Sequence, residues 1–130
     1  MTAVPFRSDF SSRQPALTTN GRIIGGRLHS GPTFCFAILR IAPSQVPLNC
    51  TVVATAENHA RLSASVYELK NGRDPGKRVQ ILLDAAVLGR PKQRFELAVA
   101  ASEVPLAVFF YNQNRCGNLI FDEISLEELK

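Results

Sequence analysis

Hydrophobicity in this chain switches every second residue, and it does so in one segment after another. In QRFELAVA (93–100), Phe95, Leu97 and Val99 fall on one face, with Arg94, Glu96 and Ala98 on the other. In RLSASVYEL (61–69), Leu62, Ala64 and Val66 alternate with Ser63, Ser65 and Tyr67. In RVQILLD (78–84), the apolar set is Val79, Ile81 and Leu83, with Arg78 and Gln80 opposite. TFCFAILRI (33–41) groups Phe34, Phe36 and Ile38, and LAVFFY (106–111) groups Leu106, Val108 and Phe110. A period of two marks an extended strand with one packed face and one wet face. NLIFDEISL (118–126) is apolar at Ile120, Ile124 and Leu126 and also at Leu119 and Phe121, so it is expected to be a central strand covered on more than one side.

Turn residues separate these runs. SGP (30–32), APSQVP (42–47), NGRDPG (71–76), GRP (89–91) and SEVP (102–105) supply Gly, Pro, Asn and Asp where the backbone must reverse. LTTNGRIIGG (17–26) reads as a short hairpin around Asn20–Gly21 or as a lead-in strand. DAAVLG (84–89) has room for one helical turn, and nothing longer has a helical period. The first 15 residues show no period and are expected to form a flexible arm. The remainder, 16–130, predicts one all-β domain, an antiparallel β-sandwich of jelly-roll type with about eight strands. A chain of 130 residues is long enough for one core without a metal or crosslinks.

Much chemistry is excluded at this stage. Cys35, Cys50 and Cys116 form neither an even disulfide set nor a zinc spacing, although a local bridge between Cys35 and Cys50 stays open. His29 and His59 both fall in expected loops. No nucleophile elbow and no phosphate-binding glycine motif is present. Asp122 and Glu123 are adjacent on a strand and point to opposite faces, which disfavours an acid–base pair. The expectation is a non-enzyme. No run approaches the ~18 apolar residues of a membrane helix. MTAVPFRSDFSSRQP lacks the apolar stretch of a secretory signal. The compartment is left open, since the chain is also readable as a domain of a larger protein.

The formal charge is +4, and it is uneven. Lys70, Arg73, Lys77, Arg78, Arg90, Lys92 and Arg94 face only Asp74 and Asp84 within 70–94. Such a patch attracts acidic partners. Aromatic residues are sparse among these cations, so nucleic acid is not the expected partner. Polar density peaks instead at YNQNRCGN (111–118), where side-chain amides offer the paired donors and acceptors that sugar hydroxyls require.

Three stretches together resemble the galactose-binding-like jelly rolls, in the style of carbohydrate-binding modules of families four and nine. They are LNCTVVATAENHARLSASVYEL, QRFELAVAASEVPLAVFFYNQ and the closing GNLIFDEISLEEL, within residues 33–129. The resemblance implies a non-catalytic module of two packed sheets. It also implies a structural calcium site using an aspartate of the last strand, a position that Asp122 matches. The chain departs from that pattern in two places. Residues 16–33 contain no acid, which leaves Asp9 as the N-terminal partner for calcium. The aromatic platforms of such modules have few counterparts here, with no Trp and two Tyr.

The expected function is carbohydrate binding, with the basic loops 70–78 and 89–94 favouring an acidic glycan. The expected ligand residues are Tyr67, Arg78, Gln80 and Arg94 on an exposed sheet face and Tyr111, Asn112, Gln113, Asn114 and Arg115 on a rim. Tyrosine rings would meet sugar faces, amides would meet hydroxyls, and arginines would pair with carboxylates. The rival reading is a structural or oligomerisation sandwich that packs through a face such as Thr51, Val53 and Thr55 against a protein partner or its own copy. A flat apolar face would favour that rival, and a groove lined by Tyr and amides would favour sugar.

Overall fold

The computed structural model describes residues 6–8, 17–71, 74–88, 92–113 and 117–128. Within them the chain forms eleven strands: β1 (Phe6–Ser8), β2 (Leu17–Thr19), β3 (Arg22–Ile24), β4 (Arg27–His29), β5 (Cys35–Ile41), β6 (Leu48–Glu57), β7 (Arg61–Lys70), β8 (Asp74–Val87), β9 (Gln93–Val99), β10 (Leu106–Asn112) and β11 (Asn118–Glu128). Two antiparallel sheets face each other as a jelly-roll sandwich. The front sheet has the order β2-β5-β10-β7-β8, and the back sheet has β3-β4-β11-β6-β9 with β1 also paired to β11.

The alternation read from the sequence builds the core directly. Leu62, Ala64 and Val66 of β7 and Leu106, Val108 and Phe110 of β10 turn inward from the front sheet. Leu97 and Val99 of β9 and Cys50, Val52 and Ala54 of β6 meet them from the back sheet. Phe121 is the aromatic hub, edge-on to Phe36 at 5.1 Å and to Phe110 at 5.5 Å. β11 lies between β4 and β6, in the central position expected from its nearly continuous apolar run.

Where the structure departs from simple alternation, an irregularity in strand pairing is the reason. The eight expected strands become eleven because short segments at the N-terminal end also pair. Asn20–Gly21 is not a hairpin tip: β2 belongs to the front sheet and β3 to the back, so the chain changes sheets there. A Cβ on Gly21 would run into the carbonyl oxygen of His29, so this crossing is closed to side chains. The hairpin turn falls instead at Gly25–Gly26, both with positive φ, which L side chains rarely adopt. Residues 84–87 continue β8 rather than forming a helical turn, and Ala85 takes a φ of 50° at an irregularity where its N–H donates to Ser63 Oγ. Within the expected N-terminal arm, Phe6–Ser8 pairs with Ile124–Leu126 on the same edge of β11 that β4 occupies further along. The other residues of 1–15 lie outside the described residues.

Two face assignments change. In β5 the register slips one residue where Phe110 faces Ala37 and Tyr111 faces Cys35, so Phe36 and Ala37 both enter the core. Phe34 instead stacks beside Tyr111, and Ile38 pairs with Phe109. In β8 the pairing with β7 shifts at four places. As a result Val79 and Ile81 are 41% and 54% exposed rather than inward, whereas Leu82, Leu83 and Ala86 pack on the core.

Gln80 shows what these shifts accomplish. Its Nε2 donates to Ala98 O at 2.9 Å and its Oε1 accepts from Ala100 N at 3.2 Å. One amide thereby latches the edge of the front sheet to the end of β9 in the back sheet. Replacing Gln80 with Ala is expected to cost about 1 kcal/mol in a urea titration, because water can reach these exposed groups and take over part of the pairing. Ligand binding elsewhere should be unchanged.

Candidate functional site

The open face of the front sheet carries a recess of about 380 Å³. Its floor is β7, where Ser63 and Ser65 leave a low step beside larger neighbours. Strand register sets the walls. Tyr111 stands directly across from Ser63, and Phe109 across from Ser65. On the other side Ile81 stands across from Ser65, and Arg78 across from Tyr67. Leu83, Asp84, Phe34 and Gln113 complete the lining. Small residues on the central strand between bulky ones on its two neighbours are what make a hollow on an otherwise even sheet.

The aromatic residues form one connected strip. Phe34 and Tyr111 lie 4.7 Å apart between ring centroids, Tyr111 and Phe109 6.3 Å apart and inclined by only 27°, and Phe109 and Tyr67 5.0 Å apart edge to face. Such rings on the wet side of a sheet present flat apolar surfaces to solvent. Burial, then a side-chain hydrogen bond with Tyr67, pushes the Tyr111 hydroxyl above the ordinary tyrosine range, and nearby Arg78 pulls weakly the other way. Tyr111 therefore remains a neutral hydrogen-bonding group.

The structure brings together four of the expected ligand residues, Tyr67, Arg78, Tyr111 and Gln113. It separates the others. Gln80 is the inter-sheet latch described above. Arg94 lies on the back sheet, 3.6 Å from Glu96. Asn112 is fully buried, and its Nδ2 donates to Gly31 O at 2.9 Å, so it ties β10 to the loop before β5. Asn114 and Arg115 lie outside the described residues. Phe34, Phe109, Ile81, Leu83 and Asp84 were not anticipated. The signal for Phe109 was present, since strict alternation in LAVFFY sets it beside Tyr111 and away from the core.

The remaining chemistry is structural. Cys35 and Cys50 are free and lie on opposite sheets, and burial pushes the Cys50 thiol up to about 12. Cys116 lies outside the described residues. His29 ends β4, half-buried rather than in a loop, and His59 lies in the turn between β6 and β7. Asp84 is the only carboxylate among the described residues that line the recess. The Asp122 carboxylate has cations on both oxygens, with Lys92 Nζ at 2.6 Å from Oδ2 and Arg27 Nε at 3.3 Å from Oδ1. Calcium requires several oxygen ligands around it. Asp9, the other oxygen donor expected for calcium, lies outside the described residues, and among the described residues no group of three or more metal-ligating side chains surrounds Asp122.

The face proposed for a protein partner is also resolved. Thr51 is buried, and Val53 and Thr55 are half-buried. Val53 lies between Arg94 and Glu123 in the sheet, and Thr51 between Glu96 and Ser125. Charged neighbours break up this surface, so it is not a flat apolar face.

Among solved structures, the chain is similar to the CBM22-1 xylan-binding domain from Paenibacillus barcinonensis Xyn10C, with a TM-score of 0.65, 12% identity and coverage of 99% of this chain and 97% of that one. It is also similar to the K1 cleaved adhesin domain of Lys-gingipain from Porphyromonas gingivalis, at a TM-score of 0.63 and 12% identity, with both chains covered in full. A third is the second N-terminal cellulose-binding domain of the Cellulomonas fimi β-1,4-glucanase C, at 0.59 and 17% identity, covering 98% of this chain and 94% of that one. This chain has the fold of jelly-roll carbohydrate-binding modules. No family model matches it, and no curated protein matches it.

Proposed function

We propose that the protein is a non-catalytic carbohydrate-binding module that holds an uncharged polysaccharide in the recess of the front sheet. The observation that carries this reading is the strip Phe34–Tyr111–Phe109–Tyr67 beside a serine floor, with hydrogen-bonding groups around it. Aromatic faces cover the C–H patches of a pyranose, and serine, tyrosine and glutamine meet its hydroxyls. Fold alone does not specify function. The neighbours described as binding xylan and cellulose make neutral polysaccharides of that kind the first choice. The likeness to families four and nine rests on the three sequence stretches and adds no ligand of its own. Among the described residues an acidic glycan has one supporting group here, Arg78, and Asp84 lines the same recess with the opposite charge. Lys92 pairs with Asp122 and Arg94 with Glu96 rather than with the recess, and Arg73, Arg90 and Arg115 lie outside the described residues.

The composition supplies a direct test. The chain has no Trp and only two Tyr, and both line the recess. Intrinsic tyrosine fluorescence therefore reports on this site. Soluble xylan or hydroxyethylcellulose is expected to change tyrosine emission in a saturable way, with an affinity that added salt leaves unchanged. Absence of any emission change or binding heat with both polymers would defeat the proposal. Binding that vanishes at high salt would shift the ligand to the acidic class.

A further inference from the structure

A second cavity, of about 450 Å³, lies apart from the recess, where the chain crosses between sheets at Asn20–Gly21 and meets the β3–β4 hairpin and the loop before β5. We propose that it is a separate binding site for a carboxylated sugar unit, a uronic acid. The proposal goes beyond the polysaccharide reading and does not depend on it.

Charge is the first argument. Arg22 and His29 both line this cavity, and they are directly paired across the hairpin, so their side chains share one face. Neither the cavity's apolar members nor its polar ones include a carboxylate among the described residues. Arg22 has no ion-pair partner among the described residues, unlike Arg27, which pairs with Asp122. The recess, by contrast, holds Arg78 and Asp84 together. Among the described residues Arg22 therefore gives this cavity a positive charge that no lining carboxylate opposes, while His29 contributes a hydrogen-bond donor rather than a charge.

Preorganisation is the second argument. Asn118 Oδ1 accepts from Gly31 N at 2.9 Å, which fixes the orientation of the amide. Its Nδ2 then faces His29 Nδ1 at 2.8 Å and donates to it. A neutral His29 consequently keeps its proton on Nε2 and remains a donor. Glu57 touches the same Nδ2 at 3.3 Å but does not line the cavity. Below, Ser30 is buried and accepts from Leu119 N at 2.9 Å, which anchors the wall to β11. Arg22 offers a planar fork to a carboxylate. Thr33 supplies a hydroxyl, and Ile24, 55% exposed, supplies an apolar edge for the C–H side of a ring. The volume exceeds what a bare carboxylate would fill and lies within the range of about 300–1,000 Å³ typical of small-ligand sites.

The test is an amide-resolved NMR titration of the full chain with methyl glucuronide, methyl glucoside and acetate in parallel. Methyl glucuronide is expected to shift Arg22, His29 and Thr33 while leaving the tyrosine rings unmoved. Methyl glucoside lacks the charge and acetate lacks the ring, so each should bind at least about tenfold more weakly. Arg22→Gln, at an exposed position, should weaken the glucuronide by a similar factor, and Tyr111→Ala should leave it unchanged. The proposal is overturned if glucuronide in large excess shifts nothing, or if its shifts fall on the recess. Equal binding by acetate or glucoside, or by the Arg22→Gln protein, overturns it as well. Failure of the polysaccharide reading would show separately, in the tyrosine signal.

Discussion

Phe121→Ala is expected to remove about 3–5 kcal/mol of stability, a large share of the roughly 5–15 kcal/mol that holds a domain of this size. The ring is fully buried and belongs to β11 of the back sheet. Its two edge-to-face partners, Phe36 and Phe110, come from β5 and β10 of the front sheet, at interplanar angles of 81° and 87°. Truncation therefore leaves a cavity at the junction of the layers and also removes two aromatic contacts, each worth about 0.5–1.5 kcal/mol beyond area burial. Neighbouring strands cannot close over the gap without disturbing their own hydrogen-bond ladders. Urea-midpoint and slope measurements check this. Phe121→Leu, which keeps most of the volume, should lose clearly less. A loss below about 1 kcal/mol for the alanine variant would show that the interior is less tightly packed than the ring geometry indicates.

Tyr67→Ala and Tyr111→Ala are each expected to weaken polysaccharide binding by about tenfold or more, the scale of a well-placed aromatic contact. Tyr111 is the more informative residue. It sits between Phe34 and Phe109 and hydrogen-bonds Tyr67, so alanine there opens a gap in the middle of the strip. Tyr111→Phe keeps the flat face and should retain most of the affinity, which separates ring contact from hydroxyl contact. The same substitution reads out stability at alkaline pH. Because the folded-state pKa of Tyr111 is raised, its neutral form is favoured by folding, and its contribution is fully present below the unfolded value of about 10. As pH rises further, the unfolded chain releases this proton while the folded chain retains it, so stability falls. Tyr111→Phe should show a shallower decline. Titration calorimetry on xylan and chemical denaturation across the alkaline range measure the two effects independently. Unchanged affinity in both alanine variants would move the binding surface away from the recess.

The legible part of the site and the illegible part differ for a physical reason. Ser63, Ser65 and Tyr67 follow a regular strand, β7, and their common face is visible in the spacing alone. On β8, local counting fails because the pairing with β7 slips four times, and each slip changes which residues face the recess. Gln80 and Ile81 accordingly exchange their expected roles. By following Tyr111 in a polar stretch, Asn112 has the sequence pattern of a rim residue. It is buried because the strand continues through it and turns its amide toward Gly31. Arg94 and Lys92 belong to a dense run of basic residues, yet they meet Glu96 and Asp122 on the far sheet. Composition counted these charges correctly but carried no information about which sheet would hold them.

The primary sequence by itself determined that extended segments of alternating polarity must close over a dry interior, because burying one face of each strand is the only way to remove those side chains from water. It also determined that both tyrosines lie on wet faces. Tertiary structure alone decided that they meet. Tyr67 and Tyr111 are 44 positions apart in the chain, and they become neighbours only because β7 and β10 pair within the front sheet. Irregular pairing at β5 and β8 then raises the walls around them, and that depends on contacts between strands, which no local pattern of residues encodes.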